Sequence, residues 1–353
     1  MKIPIDSDNS VEIADKNTFC TYLLTIRRVS FNGEETANFR EYFLTLAAAG
    51  CEVLVVDGSP PEVFAEHAKA WRNVCRHERV NAQYKYLNGK VNGIHTGIAI
   101  AAHDRIILAD DDIRYTHDDA HRMAELLAYY DMVRPQNYFR PLPIWARTEA
   151  ARMLINRAWI AEGDYSGTLG VTRNAMMRVG HYDGDVLFDN EEIVRHFRLK
   201  GARIKYARDF FLLKLPPPFE KWIEQRPRQA YEDFVMRGKT LFFAAVPIVL
   251  ALTLLKSGWQ LTLVYALIIS LGAIASAARG LTDGAARFFP PQVVFYAPLW
   301  IAERCFSTYW AFYWYFTRGG YPFGDKVVSK GTGRAWNAAA ADDLEENDSG
   351  ATN

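Results

Sequence analysis

Arg105-Ile106-Ile107-Leu108-Ala109-Asp110-Asp111-Asp112 is the stretch on which the fold turns: a strand-like run that ends in three consecutive aspartates. In a strand alternate side chains share a face, so Asp110 and Asp112 project together while Asp111 points the other way. Two ionised carboxylates this close repel by about 1–4 kcal/mol at intermediate dielectric, unless one holds a proton or a cation sits between them. A hard divalent cation with oxygen ligands relieves that repulsion, and phosphates usually complete its shell. The competing reading is a solvated acidic turn.

Working outward, residues 19–26 and 51–56 are further β-rich apolar runs, the second ending in Asp57-Gly58-Ser59-Pro60-Pro61. Between them, 35–49 carries helical spacing (Phe39, Tyr42, Phe43, Leu46) and stops at Gly50, a C-terminal cap. Residues 62–75 read as a second helix and 92–102 as a third, with Asn92 as its N-cap. Thr116 caps a fourth, paired with Asp119 in a capping box. His117, Asp118, Asp119 and His121 superficially resemble a metal cluster, but a helix start disperses them and its dipole favours the acids. Alternating strand and helix predict a mostly parallel sheet with right-handed crossovers. Ligands of such sheets gather beyond the C-terminal strand ends, where Asp57 and the aspartate triplet both lie. That shared location favours a ligand site over a surface turn.

The 41 basic and 41 acidic residues cancel, which removes any global electrostatic case for nucleic acid. The four cysteines (Cys20, Cys51, Cys75, Cys305) have no zinc-like spacing and read as reduced, buried thiols. The first residues lack the apolar core of a secretory signal.

Composition shifts sharply beyond Lys239. Residues 240–255 and 259–278 contain no charge, and about 20 helical residues span a bilayer's hydrocarbon core. Lys256-Ser257-Gly258 between them is a short polar turn, so 240–278 reads as a membrane hairpin. Arg226, Arg228, Arg237, Lys239, Arg279 and Arg287 flank it, against Lys256 alone at the far turn, which places both ends in the cytoplasm. Residues 293–317 are apolar and crowded with aromatics but carry Glu303 and Arg304. At bilayer centre each would cost about 2.5–3.5 kcal/mol, so this stretch is expected to lie along the interface rather than form a third span. The divisions expected are an N-terminal segment (1–18), a catalytic domain (19–235), the hairpin, the interfacial helix, and a basic then acidic tail (318–353) whose end, 337–353, is disordered.

Over roughly residues 19–233 the chain resembles the family 2 glycosyltransferases, inverting enzymes of GT-A-type fold. Val55-Val56-Asp57-Gly58-Ser59 is similar to the family's strand-end motif, whose aspartate contacts the nucleotide. Asn88-Gly89-Lys90 and His95-Thr96-Gly97 resemble its donor-site helix, with His95 where asparagine is usual. Leu108-Ala109-Asp110-Asp111-Asp112 resembles the DxD motif, which implies that Asp110 and Asp112 hold Mg²⁺ or Mn²⁺ and that Asp111 serves the structure or the sugar. Asp164-Tyr165-Ser166-Gly167-Thr168 resembles the acceptor-side loop. Leu187-Phe188-Asp189-Asn190-Glu191-Glu192 falls where the family carries its general base, yet counting back from Gly201 puts the usual position on Asn190. An amide cannot take the proton, so Asp189 or Glu192 is expected to do so, with Glu191 third. Gln225-Arg226-Pro227-Arg228-Gln229 resembles QxxRW with Gln229 in place of tryptophan, which argues against processive polymer synthesis. Arg228 is expected to face the diphosphate or the acceptor, and Gln225 the donor. Arg318-Gly319-Gly320-Tyr321 is a loose counterpart of a segment in ceramide glucosyltransferases.

The resemblance implies transfer from a nucleotide diphosphate-sugar to a lipid or glycan acceptor by a multi-pass protein of the cell's inner membrane, its catalytic domain cytoplasmic. The alternatives are a membrane nucleotidyltransferase and a degenerate nucleotide-sugar-binding scaffold.

Overall fold

The structure, a computed structural model, describes residues 19–235, 237–323 and 326–328. The segment 1–18 and the end of the expected tail, 329–353, lie outside the described residues.

Eight strands form one sheet: β1 (Cys20–Ile26), β2 (Cys51–Asp57), β3 (Arg76–Arg79), β4 (Arg105–Ala109), β5 (Ile113–Arg114), β6 (Met132–Phe139), β7 (Thr168–Thr172) and β8 (Ile204–Lys214). Their order is β3-β2-β1-β4-β7-β6-β8-β5. Four of the seven pairings are parallel, those of β1 with β2 and β4, β2 with β3, and β6 with β8. Those of β7 with β4 and β6, and of β5 with β8, are antiparallel. The expected mixed, mostly parallel sheet is therefore present. Every residue of β2 is buried, as a strand covered on both faces requires. Alternate residues feed two cores: Tyr22, Leu24, Val53 and Val55 pack on one face with Phe43 and Trp71, while Leu23, Leu54 and Val56 pack on the other with Val91 and Ile94. All four cysteines are free and buried.

The sheet is covered by α1 (Gly33–Ala48), α2 (Pro61–Ala70), α3 (Gly89–Ile100), α4 (His117–Leu126), α5 (Ile144–Trp159), α6 (Arg173–Val179) and α7 (Asp189–Leu199). The capping box of Thr116 and Asp119 at α4 is present. Helix α3 begins one turn earlier than its apolar spacing indicates. Its N-cap is Asn88, whose side chain accepts from the Lys90 N–H at 3.1 Å, and not Asn92, which instead bonds the Tyr86 backbone. The correction matters because it puts Lys90 in the first turn, beside the strand ends.

Beyond α8 (Phe219–Glu232) come α9 (Arg237–Ser257) and α10 (Trp259–Arg279), joined through Gly258 at φ 83°. Both are long and apolar enough to cross a membrane, and their apolar windows are only 6% and 11% buried. Core helices of a soluble protein are mostly covered, and these two are not. Helix α11 (Ala297–Arg318) follows a 3-10 segment, Pro291–Tyr296, and is not among the span candidates found in the described residues. One face, with Trp300, Ile301 and Cys305, packs on α5, α9 and α10; Phe306, Tyr313 and Phe316 stay exposed.

Candidate active site

The triplet leaves the C-terminal end of β4, and each aspartate meets its own cation. Lys90 Nζ lies 2.5 Å from Asp110, Arg28 2.6 Å from Asp111, and Lys214 3.4 Å from Asp112. Arg28 also grips Glu35 at the start of α1, which ties Asp111 to that helix. Asp112 is the least settled of the three. Its Oδ1 is enclosed without a hydrogen-bond partner. Burial and the charges of Asp110 and Asp111, opposed by Lys214, push its carboxyl up to about 6. An orphaned carboxylate oxygen among like charges is a fit seat for a divalent cation.

Lys90 joins the triplet to the next element. Its ammonium sits 2.7 Å from Asp189 and 3.2 Å from the Asn190 Oδ1, both in the first turn of α7. Burial alone would lower its pKa, but Asp110 and Asp189 outweigh it and raise it, so Lys90 stays charged. Asn88 ties the two helix starts together: its N–H donates to Gly184 O at 3.1 Å and its amide to Val186 O at 3.2 Å. Asn190 therefore acts as scaffold, accepting from Lys90 and donating to Ser166 O at 3.2 Å. Gly167 closes the ring: a Cβ there would stand 3.0 Å from Asp110 Oδ2 and 3.1 Å from Lys214 Nζ, so any larger residue would push both side-chain ends by a few tenths of an ångström.

Lys90, the three aspartates, Gly167, Asp189, Asn190 and Lys214 line one polar cavity of 370 Å³, together with Arg152, Gln225, Arg228 and Lys239. Arg228 donates to Leu187 O at 2.9 Å and so braces the entry to α7. Glu191 reaches the cavity but pairs with buried Arg134 at 2.9 Å, and burial raises its pKa. Glu192 is fully buried, pairs with Arg195 at 2.5 Å and does not line the cavity. Asp189, by contrast, does line it.

The floor of the cavity explains two oddities of the sequence. Arg226 ion-pairs with Glu149 and lies 3.9 Å from Glu303. Arg304 meets Asp233 at 3.3 Å and donates to Gln229 at 3.1 Å. The charges that interrupt α11 thus face the catalytic domain, and the glutamine in the tryptophan position is the partner of one of them.

Asp57 is not on the cavity wall. Its side chain is fully buried, with Ser59 N–H on Oδ1 at 2.8 Å, and His67 and His77 on Oδ2 at 2.8 and 3.1 Å. Burial would raise its pKa, but the hydrogen bonds from His77, Ser59 and His67 outweigh that and hold it well below the usual carboxylate range. Its stabilising contribution is full above the unfolded pKa of about 3.9 and is lost as pH falls through the depressed folded value. The three side chains offer ligand atoms within 4.8 Å of one another, close enough to hold a metal ion. Asp57→Ala leaves both imidazoles and an N–H unpartnered, at about 1–3 kcal/mol each. Even the low end of that sum lowers Tm by roughly 6–12 °C, so a fall of at least that size is expected by scanning fluorimetry; a shift under about 2 °C would contradict this role.

Sequence reasoning missed Lys214 and Arg28. Lys214 had a readable signal: it ends the apolar run Phe210-Phe211-Leu212-Leu213 just before three prolines, which is a strand end like that of β4. Arg28 gave none.

Residues 30–184 match the sequence model of glycosyl transferase family 2, a range that holds Asp57, Lys90 and the triplet and stops short of Asp189 and Arg228. No curated protein sequence matches the chain. Among solved structures, it is similar to the mannosyltransferase PcManGT from Pyrobaculum calidifontis in complex with GDP-Man and Mn²⁺. Identity is 18%, coverage 83% of this chain and 87% of that one, and the TM-score 0.46. It is also similar to glucosyl-3-phosphoglycerate synthase from Mycobacterium tuberculosis in complex with Mn²⁺, UDP and phosphoglyceric acid. There identity is 12%, coverage 58% and 73%, and the TM-score 0.37. The match places a glycosyl transferase family 2 domain at residues 30–184, under half of the chain.

Proposed function

We propose that the protein transfers a sugar, with inversion, from a nucleotide diphosphate-sugar to the hydroxyl of a lipid-linked acceptor. The reaction takes place at the cytoplasmic face of the inner membrane, with α9 and α10 as the anchoring hairpin. The observation that carries this reading is the Lys90 ammonium held between Asp110 and Asp189, in a cavity that also contains Arg228 and Lys239. It links a strand-end anion cluster to a carboxylate on a separate helix.

Asp110 and Asp112 would hold Mg²⁺ or Mn²⁺, which when bound would supply Lewis-acid neutralisation of the leaving diphosphate. Lys90 and Lys214 keep the carboxylates apart in charge and position, and Arg228 adds a fixed fork of donors for the phosphates. Asp189 takes the acceptor proton, a contribution typically worth about 10²–10⁴-fold. One base and one direct displacement give an inverted product.

The test is to incubate the full chain in nanodiscs with Mn²⁺, a panel of nucleotide sugars and a lipid extract, and to read products by mass spectrometry. One donor is expected to release nucleoside diphosphate as one lipid gains a sugar mass. Pyrophosphate release, or transfer to water-soluble glycans only, overturns the reading.

A further inference from the structure

A second cavity, apolar and 710 Å³ in volume, lies where α5 meets α9, α10 and α11. Trp159, Phe242, Phe243, Ile269 and Ile301 supply its walls. Two glycines, Gly238 of α9 and Gly272 of α10, also face it, and a Cβ built on either meets no atom within 4 Å. Glycine inside a helix is unfavourable relative to alanine, so nothing in the packing calls for it at these two places. The space in front of them is open.

Its position constrains what fills it. The cavity lies at the end of the hairpin that carries Arg237 and Lys239, the level at which headgroups meet hydrocarbon if the hairpin spans a bilayer. Lys239 is a wall of both this cavity and the polar reaction cavity. Its ammonium turns to Asp233 at 2.7 Å and lies over the Trp300 ring at 5.8 Å, so one residue presents charge toward the polar side and stem toward the apolar one. A molecule that occupies both spaces has a polar head and a hydrocarbon chain.

We propose that this cavity holds the hydrocarbon chain of the acceptor, with the hydroxyl-bearing head passing Lys239 into the reaction cavity. The assignment rests on the lipid-acceptor reading above and gives it a location: a bound chain lies between the helices, not on the outer, lipid-facing surface of the hairpin.

The probe is a long-chain primary alcohol carrying a diazirine at mid-chain, photolysed with the full chain in phosphatidylcholine nanodiscs and mapped by peptide mass spectrometry. Labels are expected to concentrate in residues 237–243 and 269–276. Gly272→Phe, whose Cβ meets no atom within 4 Å, is expected to cut that labelling about tenfold, the equivalent of two buried methylenes. Leu263→Phe, on the exposed face of α10, leaves it unchanged. Labelling spread along 248–267 and indifferent to Gly272→Phe overturns the assignment, since the cavity then holds only bulk lipid. The product assay in the same nanodiscs separates the two ideas. Lipid glycosylation with dispersed labelling discards the cavity alone, whereas focused labelling with transfer only to soluble acceptors discards the acceptor reading and the chain's identity with it.

Discussion

Asp112→Ala is expected to abolish sugar transfer and donor hydrolysis, by about 10³-fold or more, while leaving the fold intact. The size follows from the loss of a seat for the charge that neutralises the leaving diphosphate, since one electrostatic stabiliser alone is commonly worth about 10²–10³-fold. The intact fold follows from the local electrostatics. Asp112 has an enclosed, unpartnered oxygen, and its carboxyl is pushed up to about 6 by burial and by Asp110 and Asp111. A carboxylate with a raised pKa opposes folding once it is ionised above that value, so removing it relieves repulsion at neutral pH. The same substitution therefore separates function from stability. A binding readout completes the test: Mn²⁺ at about 100 times its Kd stabilises the wild type by about 2.7 kcal/mol through mass action, and this thermal shift disappears in the variant. Unchanged turnover in Asp112→Ala would sink the metal assignment, and so would a preserved Mn²⁺ shift.

Asp189→Asn is expected to lower kcat by about 10²–10⁴-fold while the KM for donor stays within about threefold, the pattern of a lost proton acceptor. The asparagine keeps shape and leaves Lys90 its contacts with Asp110 and Asn190. Glu192→Gln is the comparison that decides between the two sequence candidates. Glu192 is fully buried against Arg195, outside the cavity lining, so its loss is expected to reduce stability and to leave kcat within about threefold. If Glu192→Gln proves the more damaging to kcat, the base is not Asp189 and α7 must turn on substrate binding.

The two expectations show unequal legibility. The triplet's place was readable because it is local, a strand and its end. The alternation expected of Asp110 and Asp112 does not apply, since β4 stops at Ala109 and the three aspartates enter a turn closed by Ile113 N–H on Asp110 O at 3.1 Å. The choice among the candidates on α7 was not readable, because Asp189, Asn190, Glu191 and Glu192 are equivalent acids and amides at one helix start until their partners are known. Arg134 on β6 takes Glu191, Arg195 takes Glu192, and Lys90 takes Asp189 and Asn190. Two of these partners lie on other elements, and spacing along α7 does not name them. Asp57 shows the same limit. Its strand-end place was legible, but the two histidines that enclose it come from α2 and β3.

The sequence by itself determined the parts governed by neighbours in the chain: the β4 run and its aspartates, the capping box at Thr116, and two uncharged stretches of spanning length separated by Lys256-Ser257-Gly258. Hydrophobic period, caps and run length act over one or two turns and need no partner. Only the tertiary structure decided that β7 enters antiparallel between β4 and β6, bringing Gly167 against Asp110. It also decided that Glu303 and Arg304 turn toward Arg226, Asp233 and Gln229, and that Lys90 bridges Asp110 and Asp189. The physical reason is common to all three. A charge or a strand edge states its need for a partner locally, but which partner meets it is settled by packing between segments far apart in sequence.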